Sequence, residues 1–242
     1  MKHALSLLTD VLYPRKCPYC GDVIPTGQTY CGCDITDITV PETQNRKGIE
    51  SREHHLQYVF KAVSPIFYRD AGQSAVLKLK YGAKTGIGVY LARQMSDCVS
   101  EYLPIDEIDF ITPVPARRED LKDKLIDPTA FLSRQMGKML KKNSLDSLQK
   151  IYQTDKQHTL DKFRRAANVL GAYEVIDKSL ILDKTVLLVD DILTTGYTAD
   201  ECAKMLRVRG CKRVYLCTAV FAQKDGKKEK KKEKEKQNHG KQ

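Results

Sequence analysis

The sequence predicts an α/β domain with a mostly parallel sheet flanked by helices. Across residues 54–223, strand-like and helix-like stretches alternate, the pattern in which crossover helices cover a parallel sheet. Residues 185–190 contain the uninterrupted apolar run Val186-Leu187-Leu188-Val189, as expected of a strand buried on both faces. Two carboxylates, Asp190 and Asp191, close that run, and a helical pattern reopens at Thr198.

The elements follow in order. Residues 57–68 read as the first strand. Over residues 86–103, Ile87, Leu91, Met95, Val99 and Tyr102 recur at helical spacing. Residues 110–114 are a short apolar run stopped by Pro115, hence a buried strand. Residues 128–140 read as a helix with Pro128 at its first position, where a missing N–H is harmless. A short helix is expected over 159–167 and a strand over 171–176. After the central strand come a helix over 198–208 and a last strand over 213–220.

Size and composition limit the rest. A chain of 242 residues suffices for one packed domain plus a small module. Hydrophobic residues make up 41%, and no stretch approaches the ~18 consecutive apolar residues of a membrane span. Residues 1–12 hold one Lys, a short apolar stretch and no small-residue cleavage site. A signal peptide is therefore not expected, and a cytoplasmic protein without membrane insertion is. Three zones are expected: a Cys-rich module over 1–53, the α/β domain over 54–223 and a charged tail over 224–242. The tail holds nine Lys against four acidic residues, about half of the formal charge of +10. With no apolar side chain to bury, it is expected to be disordered. It reads either as a weak attractor of nucleic acid or as a solubilising extension.

The eight Cys divide into two groups. Cys98, Cys202, Cys211 and Cys217 fall in apolar, periodic segments and read as small core hydrophobes. Cys17, Cys20, Cys31 and Cys33 cluster, and Cys17-Pro-Tyr-Cys20-Gly21 is a zinc-knuckle half. Four thiolates satisfy the closed tetrahedral site of a structural Zn²⁺. The second half is spaced Cys-x-Cys, so a degraded knuckle without metal is the alternative. Disulfides are not expected in a reducing compartment.

The stretch that carries chemistry is Val186-Leu-Leu-Val-Asp190-Asp191-Ile-Leu193-Thr194-Thr195-Gly196-Tyr197-Thr198. Amides at a helix start favour a phosphate, and Gly196 lets the backbone approach it closely. Thr194, Thr195 and Thr198 add hydroxyl donors. Adjacent carboxylates repel a phosphate, so Asp190 and Asp191 need another task, and accepting hydrogen bonds from a ribose diol fits. Thr198 with Glu201 reads as a capping box that starts the helix.

This segment resembles the phosphoribosyl pyrophosphate (PRPP) signature of type I phosphoribosyltransferases. More of the chain resembles the ComF (ComFC) branch of that family. Leu77-Lys-Leu-Lys80-Tyr-Gly82 is similar to its Leu-Lys-Tyr-x-Gly element, and Thr112-Pro-Val-Pro115 to its Pro-Val-Pro strand end. Gln157-His-Thr-Leu160, Arg164-Arg165 and Asn168-Val-Leu-Gly171 are similar to its Gln-x-x-Leu…Arg-x-x-Asn-Val-x-Gly pattern. The resemblance implies a type I phosphoribosyltransferase fold. It implies that Asp190 and Asp191 are the catalytic acids and hold the diol. It also implies that Leu193, Thr194, Thr195, Gly196, Tyr197 and Thr198 bind the 5′-phosphate. Leu77 to Gly82 would be the pyrophosphate loop, with Lys80 offsetting leaving-group charge and Mg²⁺ accompanying PRPP; by its residues alone the same stretch reads as a helix C-terminus with a basic residue and a terminating Gly. One departure stands out: Lys124-Leu-Ile-Asp127-Pro128 occupies the place of Arg-Gly-Phe-Asn-Gln or its Tyr-Asp-Pro variant, which puts loop closure in doubt.

Three functions remain open on these residues. The first is an enzyme that transfers a phosphoribosyl group from PRPP to a nitrogen acceptor and releases pyrophosphate. The second is a binding module for single-stranded DNA, working with competence proteins in DNA uptake, as the resemblance implies. The third is an adaptor that senses PRPP without turnover.

Overall fold

The computed structural model describes residues 23–24, 56–67, 70–82, 85–116, 121, 126–151 and 169–222. The strands are β1 (Lys61–Val63), β2 (Ile66–Phe67), β3 (Phe110–Pro113), β4 (Asn143–Ser144), β5 (Leu148–Lys150), β6 (Tyr173–Val175), β7 (Thr185–Leu193) and β8 (Arg213–Phe221). The α-helices are α1 (Asp70–Gly82), α2 (Thr85–Tyr102), α3 (Pro128–Leu140) and α4 (Tyr197–Val208). The main sheet runs β1-β8-β7-β3-β4, with β2 also paired to β8, and every ladder in it is parallel. Strands β5 and β6 form a separate antiparallel pair. The architecture is the expected α/β fold, a mostly parallel sheet flanked by helices.

Strand alternation sorts the core onto two faces. Leu187, Val189, Tyr215 and Cys217 pack with Leu79 of α1, Leu91 and Met95 of α2, and Leu132 and Met136 of α3. Val186, Leu188, Val214 and Leu216 face the other way, onto Ala199, Cys202, Ala203 and Leu206 of α4 and onto Tyr173 and Val175 of β6. With both faces covered, β7 and β8 can be apolar along their whole length, which is why the sequence shows a run there instead of alternation. The scattered cysteines are part of this core, free and buried. Burial raises all four thiols, Cys98 to about 12 and Cys211 to about 11.

Several expectations need correction. The first strand is interrupted: Lys61–Val63 and Ile66–Phe67 are separated by Ser64 and Pro65. Pro65 has no N–H to give the ladder, and Ser64 Oγ turns back onto the Ile66 carbonyl at 3.3 Å. Leu77 to Gly82, a loop by the family resemblance and a helix C-terminus by the residues alone, is the last part of α1. Buried Ala75, Val76 and Leu79 hold it to the sheet at helical spacing. The strand expected over 171–176 exists as β6, but lies outside the main sheet. Helix α3 covers the predicted 128–140, with Asp127 as N-cap accepting the Ala130 N–H at 3.1 Å. Cys17, Cys20, Cys31, Cys33, the helix expected over 159–167, Lys124 and Leu125, and the tail over 224–242 lie outside the described residues.

Leu188 is fully buried between the sheet and α4. Leu188→Ala is expected to destabilise the chain by about 2–5 kcal/mol. Urea unfolding checks this, and a loss well under 1 kcal/mol contradicts the packing described.

Candidate functional site

Strands β3 and β7 are neighbours, yet the chain leaves them in opposite directions. From β7 it returns through α4 to β8, and from β3 it goes through α3 to β4 on the far side. This is a topological switch point, and the crevice beyond the strand ends there is where open α/β sheets take ligands. Asp190 and Asp191 sit at that end of β7. Asp127, at the start of α3, lies near enough to act electrostatically on Asp190.

The two acids are not equivalent. By strand alternation Asp191 lies on the α1–α3 side and Asp190 on the α4 side. Asp191 is buried, and its Oδ2 meets Lys80 Nζ at 2.8 Å, reaching it from the last turn of α1. Asp190 is half-buried, and its Oδ1 accepts the Asp191 backbone N–H at 2.8 Å. Burial pushes the Asp190 carboxyl well above the ordinary carboxylate range. The negative charge of Asp191 adds to this, while the Asp191 N–H and Lys80 oppose it. Burial works against the charge of Lys80, but Asp191, Asp190 and Tyr81 together outweigh it and hold the ammonium above its ordinary value.

The turn that follows is built on Gly196. Its φ of 86° is left-handed, a conformation that costs glycine little and other residues more. Gly196 is the N-cap of α4, and its carbonyl accepts the Asp200 N–H at 2.8 Å. The expected capping box is absent: no side chain caps α4, and Thr198 lies inside the helix. The amides of the first turn are therefore left without a side-chain acceptor from a capping box, as an anion site requires. Glu201, the other half of the expected box, is buried and accepts the Gly171 N–H at 2.9 Å, with Lys204 Nζ at 3.2 Å. Around the turn Leu193 is buried, Thr195, Tyr197 and Thr198 are half-buried and Thr194 is exposed.

The structure thus brings Lys80, Asp190, Asp191 and residues 193–198 to one end of the sheet. The sequence reading gave no pairing to three further participants. Asp127 was visible only as part of an atypical loop. Asp200 accepts the Tyr58 backbone N–H at 2.7 Å and ties the segment before β1 to α4. Burial raises the Asp200 carboxyl to about 6, against the amides of Tyr58, Gln57 and Val59. Gly171, within the Asn168–Gly171 element, anchors to α4 through Glu201. No local pattern announces these pairings.

A carboxyl whose pKa rises on folding contributes stability that is whole below its unfolded value and is lost as pH climbs through the folded value. Asp190→Asn removes that loss. It is expected to raise Tm by about 2–4 °C at pH 9 and by less at pH 5, by scanning calorimetry. A lower Tm at pH 9 contradicts the electrostatics above.

Residues 133–240 match the family model of the phosphoribosyl transferase domain. A ribose-phosphate pyrophosphokinase of Nostoc sp. is 43% identical over 65 residues, 26% of this chain and 19% of that protein. An amidophosphoribosyltransferase of Pasteurella multocida is 26% identical over 140 residues, 55% of this chain and 26% of that protein. Among solved structures, glutamine PRPP amidotransferase from B. subtilis aligns at 14% identity with a TM-score of 0.41, covering 60% of this chain and 30% of that one. The chain spans 19% to 26% of the length of these two curated relatives. The acidic end of β7, the glycine turn and α4 all fall inside the stretch similar to a phosphoribosyl transferase domain.

Proposed function

We propose that the chain binds PRPP at the C-terminal end of β7 and transfers its phosphoribosyl group to a nitrogen acceptor. One juxtaposition supports this above all: an acid pair at the switch-point strand end, then a left-handed glycine turn opening a helix, inside the stretch that matches the domain model. In this reading the amides and hydroxyls of residues 194–198 receive the 5′-phosphate, with Leu193 as the buried root of the turn. Asp190 and Asp191 accept hydrogen bonds from the ribose diol, and Lys80 belongs to the same site. The substrate is the magnesium complex of PRPP, in which the metal offsets pyrophosphate charge.

The transfer forms a bond from the acceptor nitrogen to ribose C1 and breaks the bond from C1 to the pyrophosphate oxygen. Pyrophosphate leaves with the electron pair, and the acceptor nitrogen loses a proton to solvent. The protein's part is placement of the ribose and electrostatic support for the positive charge that develops at C1, which nearby carboxylates favour. Over residues 1–53 we propose a separate module in which Cys17, Cys20, Cys31 and Cys33 hold a structural zinc, because their donor set fits a closed tetrahedral site. The domain limits 54–223 and 224–242 belong to the same proposal. So does a cytoplasmic role beside competence proteins in DNA uptake. Among the described residues, no helix is long and apolar enough to cross a membrane.

A second reading is an adaptor for single-stranded DNA. A specific surface favours it: an open groove of about 510 Å³ at the end of α3 and β4, lined by Arg134, Lys138, Lys141 and Lys142. Such a surface attracts phosphate backbones in a salt-dependent way.

Titration calorimetry with PRPP and Mg²⁺ separates these readings. Wild type is expected to bind, and the double variant Asp190→Asn/Asp191→Asn to lose at least about tenfold in affinity. No binding by folded wild type sinks both the transferase and the sensor. Metal analysis of the purified full chain is expected to find zinc, and to find it lost in Cys31→Ser/Cys33→Ser. A metal-free wild type contradicts the zinc module.

A further inference from the structure

Lys80 has two competing claims on it. A cation in this crevice is the natural partner of a pyrophosphate, yet the Lys80 ammonium is already 2.8 Å from Asp191 Oδ2, with the two side chains 22% and 12% exposed. Three carboxylates share the neighbourhood: Asp190 and Asp191 on β7, and Asp127 at the start of α3. Tyr81 on α1 acts electrostatically on Lys80, and Asp190 acts on Cys202 of α4. If Lys80 left Asp191 for an incoming polyanion, Asp191 would be buried without its counter-charge, with Asp190 beside it and the polyanion in front. Breaking one side of a buried ion pair is costly because it strands the other charge.

We propose that Lys80 is a positioning residue, which pins the Asp191 carboxylate at the end of β7 and thereby fixes the geometry in which a ribose diol is received, instead of serving as the ligand of the leaving pyrophosphate. The inference rests on the ribose-phosphate reading of the site. Three features of the chain support it. The pairing joins the last turn of α1 to β7, so it is held by two rigid elements. Both ends are largely shielded from water, where an ion pair is screened little by salt. And Asp190, which has no such cation at contact distance among the described ion pairs, is the member pushed toward its protonated form by burial and by Asp191. The ammonium thus offsets Asp191, while burial and Asp191 favour the neutral form of Asp190.

Ribose 5-phosphate and inorganic pyrophosphate separate the two roles, since the first carries the diol and the phosphate without the leaving group. Calorimetry is done on the full chain for wild type, Lys80→Met and Lys80→Arg. Lys80→Met is expected to weaken ribose 5-phosphate by about tenfold and pyrophosphate by less than about twofold. Lys80→Arg is expected to recover most of the ribose 5-phosphate affinity. A loss for pyrophosphate that equals or exceeds the loss for ribose 5-phosphate overturns the proposal. A second arm needs no ligand: carboxyl ¹³C NMR of the free protein follows Asp190 with pH. Its titration is expected to move to higher pH in Lys80→Met and to return in Lys80→Arg, and an unmoved titration overturns the proposal. If wild type binds neither ligand, the ribose-phosphate reading falls, while the NMR arm still decides whether Lys80 governs the pair.

Discussion

Strand β7 is hydrogen-bonded along one edge to β3 and along the other to β8, and helices or β6 cover both its faces. A strand so placed has no tolerance for charge along its length, because each of its side chains from Val186 to Val189 is out of water. Charge is admissible only where the sheet ends. Asp190 and Asp191 stand near the C-terminal end of β7 on opposite faces, Asp190 half-buried and Asp191 buried against Lys80. The site is therefore a consequence of the burial: the same pairing that makes β7 the centre of the core forces its polar residues to the switch-point crevice.

The crevice that results carries a contradiction that the chain resolves locally. Carboxylates and the proposed phosphate site stand within a few residues of one another. Gly196 turns the backbone in the left-handed region, so the proposed anion site draws on the amides at the start of α4 and not on the strand end that holds the acids. Lys80 reaches in from α1 and offsets Asp191. Glu201 and Asp200 accept the backbone amides of Gly171 and Tyr58, and Lys204 offsets the charge of Glu201. Helix α4 is thus tied to two remote segments of the chain, and the anion turn is held by more than its own sequence.

Much of this was legible in the residues. The apolar run of β7, the Pro-started α3 and the helical spacing of α2 are local patterns, and they form where their periodicity places them. The acid pair with its glycine turn was legible for the same reason, since turn chemistry depends on near neighbours. What the residues hid was set at long range. The pairing of Lys80 with Asp191 joins parts of the chain that no short motif connects. The Thr198 and Glu201 pattern looked like a cap, but the turn needs positive φ at Gly196, and Glu201 is taken by Gly171. The family resemblance suggested a loop at Leu77 to Gly82, whereas Ala75, Val76 and Leu79 pack as a helix face. Strands β4 and β5, two and three residues long, are too short to carry a period.

Hydrogen–deuterium exchange with and without PRPP and Mg²⁺ tests the central claim most directly, since it reports the backbone amides of the anion turn. Slower exchange centred on residues 194–200, with residues near Lys80 following, is what the account predicts. Protection that avoids this turn and appears instead along α3 and β4 contradicts it, and moves the ligand to the basic groove.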